Sequence, residues 1–131
     1  MMKTKLLLVD DHPVLRHGLR EIVAMQPHLA LAGEASTGEL AVKLALELTP
    51  DVVVMDIKLP AMNGLETTRQ ILSALPATKI VIFSGNATRT LVDEAVRAGA
   101  RGYVSKSSAL EELVSAIDAV MTGKLYLLSL A

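Results

Sequence analysis

Short, wholly apolar runs alternate with longer stretches of helical periodicity, and this alternation constrains the fold more than any other feature of the chain. The runs are Leu6–Val9, Leu29–Ala32, Val52–Met55, Ile80–Phe83 and Gly102–Val104. Brief apolar runs bounded by polar or turn residues fit strands buried on both faces. Between them, Val14, Leu15, Gly18, Leu19, Ile22 and Val23 form one helical stripe, and Leu110, Leu113, Val114, Ile117, Val120 and Met121 form another. Pro13 suits a first helical position, where its missing N–H costs nothing. Ser36 with Glu39, Asn63 with Glu66 and Ser108 with Glu111 have the spacing of capping boxes or their Asn relative. Pro50, Gly99 and Gly123 close the second, fourth and fifth helices. Five strands alternating with five helices predict a parallel sheet covered by helices on both sides, with the doubly wound α/β class as the leading architecture.

Composition removes several function classes. The 131 residues correspond to one domain, far short of the ~250 that an eight-fold barrel needs. With 51% hydrophobic residues the chain can bury a core without staples, and the absence of cysteine excludes disulfides, thiol nucleophiles and zinc-thiolate sites. The balance of 13 basic against 14 acidic side chains argues against direct nucleic-acid binding. The apolar core of Met1–Asp10 is too short for a signal peptide, and no run approaches the ~20 residues of a membrane helix. A cytoplasmic location without a membrane contact is the expectation.

In an open parallel sheet, ligands bind beyond the carboxyl ends of the strands. There the sequence places Asp10-Asp11-His12-Pro13 after the first run, Asp56 after the third, Ser84-Gly85-Asn86 at the end of the fourth, and Ser105-Lys106 after the fifth. Three carboxylates held together with one ammonium leave an excess of negative charge. A hard divalent cation with oxygen ligands relieves it, and a site that keeps several waters suits Mg²⁺. Asp56 can then serve as a carboxylate nucleophile toward a phosphoryl group. Lys106 and the cation could supply charge neutralisation, and Ser84 a hydrogen bond to a phosphoryl oxygen, with Gly85 leaving space for entry. Taken singly, each residue has a plainer reading: Asp10 and Asp11 as caps of the first helix, Asp56 as a solvated strand-end carboxylate, Lys106 as a surface lysine. Their joint occurrence on successive strand ends outweighs these.

The set Asp10-Asp11, Asp56, Ser84 and Lys106 resembles the receiver domain of bacterial two-component response regulators. Met55–Gly64, Asp11-His12-Pro13 and Ala98–Tyr103 look like its LuxR-type subgroup. The resemblance implies a (βα)5 flavodoxin-like fold with strand order 2-1-3-4-5, a receiver domain over residues 1–123, and a linker start or tail over 124–131. It implies Asp56 as phosphoacceptor, Asp10, Asp11, Asp56 and the Lys58 backbone carbonyl as the Mg²⁺ shell, Ser84 and Lys106 as contacts to the phosphoryl group, and Ser84 with Tyr103 as the switch. It also implies a sensor histidine kinase as partner and only weak self-catalysed phosphoryl chemistry. Many receivers have proline after the site lysine; here Ser107 stands there.

LuxR-type regulators continue into a helix-turn-helix output domain, which these residues do not include. DNA binding is therefore expected only of a longer protein; this chain is either a fragment of such a regulator, the favoured reading, or a free-standing receiver. A homodimer could form through the first and fifth helices or the fourth and fifth. A haloacid-dehalogenase-type phosphatase would require Asp-x-Asp, but His12 stands two positions after Asp10. A flavodoxin-like cofactor carrier would require a phosphate loop where the acidic pair lies. A pseudo-receiver that only docks is disfavoured because every reactive position is filled. His12 and His17 are expected on the surface of the first helix.

Overall fold

The computed structural model describes residues 2–127. Its strands are β1 (Thr4–Val9), β2 (Leu29–Ala35), β3 (Val52–Met55), β4 (Lys79–Ser84), β5 (Gly102–Ser105) and β6 (Tyr126–Leu127), and its helices are α1 (Pro13–Ala24), α2 (Gly38–Leu48), α3 (Gly64–Ala74), α4 (Arg89–Ala98) and α5 (Leu110–Met121). The strands form one parallel sheet in the order β2-β1-β3-β4-β5-β6. The doubly wound architecture and the order 2-1-3-4-5 are as expected. The two-residue β6 adds a sixth strand from a segment read as linker or tail.

Successive side chains along each strand point to opposite faces, so one apolar run feeds two cores. Leu7, Val9, Val53, Met55, Ile80 and Ile82 pack with Ala41, Ala45, Leu65, Ile71 and Val92 on the α2–α3–α4 side. Leu6, Leu8, Val52, Val54, Val81 and Phe83 pack with Leu19, Val23, Leu113, Ile117 and Val120 on the α1–α5 side. This two-sided burial explains why the runs lack polar alternation.

Helix boundaries follow the predicted signals in part. Pro13 opens α1, and Asn63 caps α3 by accepting from the Glu66 N–H at 3.0 Å. At α2 the cap is Thr37, whose hydroxyl accepts from the Leu40 N–H at 3.1 Å, and not Ser36. At α5 the capping position is Ala109, one residue beyond Ser108, and no side chain caps the helix. Strand β2 runs on to Ala35, past the end of its apolar run, and its register against β1 shifts between Leu6 and Leu7. Among the described residues no helix is long and apolar enough to cross a membrane.

Two helices end on left-handed residues of different suitability. Gly99 closes α4 with φ 107°, and a Cβ there would lie 2.5 Å from a Leu72 methyl. Thr49 closes α2 with φ 44°, a conformation costly for a β-branched side chain. Gly99→Ala is expected to destabilise the domain by ~1–2 kcal/mol. Thr49→Gly is expected to stabilise it by ~0.5–1 kcal/mol, because relief of the left-handed strain outweighs the added freedom of the unfolded chain. Urea midpoints of the two variants moving in opposite directions would bear this out.

Candidate functional site

The site residues are placed by continuation of the sheet hydrogen bonding past the strand ends. The Asp10 N–H donates to the Ala35 carbonyl at 3.0 Å, that of Asp56 to Val9 at 3.0 Å, and that of Lys106 to Ser84 at 2.8 Å. Three polar positions from β1, β3 and β5 are thereby fixed on one edge. The loop after Asp56 folds back closely: the Gly64 N–H donates to the Ile57 carbonyl at 2.8 Å, and a Cβ on Gly64 would lie 1.9 Å from the Asp56 carbonyl oxygen. Only glycine allows that approach.

Asp10 and Asp56 are each only 3% exposed. The Lys106 ammonium bridges them, with Nζ 2.7 Å from Asp10 Oδ2 and 2.8 Å from Asp56 Oδ2. Burial raises the Asp56 carboxyl above its ordinary range and Asp10 raises it further, while the bond and charge of Lys106 pull it back only in part. Burial alone would lower the Lys106 ammonium, but its bonds to Asp10 and Asp56 outweigh that and hold it above its usual value. Two carboxylates against one ammonium leave net negative charge beside a cavity of about 280 Å³ lined by His12, Asp56, Lys58, Ser84, Gly85, Asn86 and Lys106.

Asp11 is exposed at the rim, yet one ligand atom each from Asp10, Asp11, His12 and Asp56 lies within 4.8 Å of the others. Clustered carboxylate oxygens of this kind fit a hard divalent cation. The Lys58 backbone N–H points toward Asp56 Oδ1 at 3.4 Å, a long contact. The Ser84 hydroxyl accepts from the Asn86 N–H at 3.2 Å. Tyr103 is fully buried and its phenol donates to the Asn86 carbonyl; burial raises the phenol above its ordinary value. The backbone of Asn86 is thus held on both sides of its Cα, at the N–H by Ser84 and at the carbonyl by Tyr103.

Asp10, Asp56, Ser84 and Lys106 therefore meet where the strand-end reading placed them, with Asp11 at the rim. Gly85 lines the cavity and a Cβ there would project into open space, in keeping with an unobstructed approach beside Ser84. One detail was not foreseen. His12, read as a surface residue of the first helix, turns its ring onto the carboxylates: Nδ1 is 2.8 Å from Asp10 Oδ1 and 3.2 Å from Asp11 Oδ1. It sits just before Pro13 at the helix entry, and that position was the available signal. The Lys106–Ser107 peptide is trans.

The family model of the response regulator receiver domain matches residues 6–118. The response regulator GacA of Pseudomonas aeruginosa is 42% identical over 123 residues, 94% of this chain and 58% of GacA. The nitrate/nitrite response regulator protein NarL of Escherichia coli is 38% identical over 122 residues, 93% of this chain and 56% of NarL. The chain thus spans just over half the length of these curated relatives. A LuxR-family two-component response regulator from Aurantimonas sp. superposes with a TM-score of 0.92 at 41% identity, covering 97% of this chain and 90% of that one.

Because the folded-state value of Asp56 lies above its unfolded value, its ionised form costs native stability. That cost is absent below the ordinary carboxyl range and complete once pH exceeds the raised value. Asp56→Asn is expected to raise the thermal midpoint by a few degrees at neutral pH. The advantage shrinks as pH falls toward the unperturbed carboxyl value near 3.8. Melting curves of both proteins across that range measure it.

Proposed function

The chain belongs to the response regulator receiver family, and from that premise we propose that it is a phosphorylation-controlled switch whose phosphoacceptor is Asp56. The observation that carries this reading is the bridge from Lys106 to the buried Asp10 and Asp56 beside an open cavity. The Asp56 carboxylate oxygen attacks the phosphorus of a phosphohistidine on a sensor histidine kinase; the new O–P bond forms as the N–P bond breaks, and the imidazole leaves with the electron pair. Most of the catalysis is positioning and charge neutralisation.

Asp10, Asp11, Asp56 and the Lys58 backbone carbonyl would hold Mg²⁺, and the clustered oxygens fit it. When bound, the cation supplies neutralisation of negative charge on the phosphoryl oxygens. Lys106 releases Asp56 to contact the incoming oxygens, and Ser84 turns its hydroxyl to the same group. Asp56 carries one negative charge before transfer and close to two after it, with added acceptor oxygens.

The switch follows from the backbone of Asn86. A Ser84 hydroxyl drawn to the phosphoryl group loses its hold on the Asn86 N–H, and the carbonyl of the same residue is tied to Tyr103. Loop movement is thereby transmitted to β5 and to the α4–β5–α5 face. That face, or the α1 and α5 surfaces, would support a homodimer. Output on DNA would come through a domain outside this chain, in a cytoplasmic regulator without a membrane contact. Over residues 1–123 the chain would act as the receiver and beyond them lead toward that output. It would be a signalling switch and not an enzyme with turnover on a separate substrate.

Intact-mass spectrometry after incubation with acetyl phosphate tests the reading. The expected result is a gain of one phosphoryl group that requires Mg²⁺ and is absent in Asp56→Asn; no gain from either acetyl phosphate or a phosphorylated kinase would refute it. Backbone NMR shifts in Ser84–Ala87, β5 and α5 should move with a beryllofluoride phosphoryl mimic, and unchanged shifts there would eliminate the switch route.

A further inference from the structure

The site contains a group that the proposed Mg²⁺ chemistry leaves unused, the imidazole of His12. Its Nδ1 lies 2.8 Å from Asp10 Oδ1, 3.2 Å from Asp11 Oδ1 and 3.9 Å from Asp56 Oδ2. Nδ1 and Asp10 Oδ1 are joined by a hydrogen bond. Ligand atoms bonded to one small divalent cation at ~2.1 Å also stand ~3 Å apart, so a cation can take the place of that hydrogen bond with little movement of either group. Lys106 binds the other Asp10 oxygen, Oδ2, which leaves Oδ1 facing His12. In the neutral ring one nitrogen carries the proton and the other a lone pair. With the proton on Nε2, the Nδ1 lone pair is directed at the carboxylate oxygens.

We infer that His12 is an additional metal ligand that shifts the preference of this site from Mg²⁺ toward transition ions, Zn²⁺ above all and Mn²⁺ to a lesser degree. The inference rests on the reading that Asp10, Asp11 and Asp56 form a cation site. An all-oxygen set suits Mg²⁺, whereas an imidazole added to it favours transition ions, Zn²⁺ more strongly than Mn²⁺. The ring is 62% exposed on its side chain and opens onto the cavity, so its replacement removes a donor without removing core packing.

Isothermal titration calorimetry of the chain with Mg²⁺, Mn²⁺ and Zn²⁺ separately, in the unsubstituted form, His12→Gln and His17→Gln, tests this. His12→Gln is expected to weaken Zn²⁺ binding at least about tenfold and Mn²⁺ binding by less, with Mg²⁺ affinity little changed. His17→Gln, which alters a histidine paired with Glu21 on the exposed side of α1, is expected to leave all three unchanged. Equal losses for all three ions, or no loss for Zn²⁺, in His12→Gln overturn the inference while leaving the Mg²⁺ site standing. Absence of Mg²⁺ binding in the unsubstituted chain overturns the reading beneath it.

Discussion

The Lys106 ammonium bridging two buried carboxylates is the interaction on which the polar end of this molecule depends. Charges taken out of water are tolerated when they are paired and hydrogen-bonded, and removing one partner leaves the others exposed to the full desolvation penalty. Asp10 and Asp56 sit at the ends of neighbouring strands, so β1 and β3 cannot adopt their register without bringing the two carboxylates together. Lys106, delivered by β5 from across β4, makes that approach tolerable. The compensation is incomplete, since the Asp56 carboxyl remains above its ordinary range. The resting domain therefore holds a carboxylate site short of positive charge, a state suited to receiving a cation or an electrophilic phosphorus.

Much of this was legible in the sequence because the sheet does two things at once. Burial on both faces demands uninterrupted apolar runs, and parallel connection sends every strand's carboxyl end to the same edge. The polar residues just past the runs are then candidates for a site: Asp10, Asp56 and Ser84 come directly after theirs, and Lys106 one position beyond Ser105. Spacing alone does not select between a cation-binding and a plain capping role for the acidic pair; what favours the former is the meeting of all four positions.

The features missed have local causes. Ser36 and Thr37 are both competent caps, and the choice falls to whichever backbone is extended at the turn, a property that residue type does not encode. Ser108 carries the capping-box spacing but lies one residue before the capping position at Ala109, so the first turn of α5 goes without a side-chain cap. β6 was hidden because a two-residue strand has no period to detect; the Tyr126 phenol, bonded to Glu112 of α5, helps to hold it. His12 is on the surface as expected, but its contacts with Asp10 and Asp11 were not foreseen because helical position was weighed and the ring's reach across the helix entry was not. In each instance the deciding quantity is an angle or a reach.

The pairing of β6 with β5 has a mechanical consequence. Among the described residues β6 bonds to β5 at Gly102 and Tyr103, while β4 runs beside β5 to Ser105. The base of β5 is thus gripped on both sides, like a beam built into a wall, and displacement there would break two ladders. Lys106 is mounted just past the far end, so the root of the strand that aims its ammonium is the part the sheet anchors most firmly.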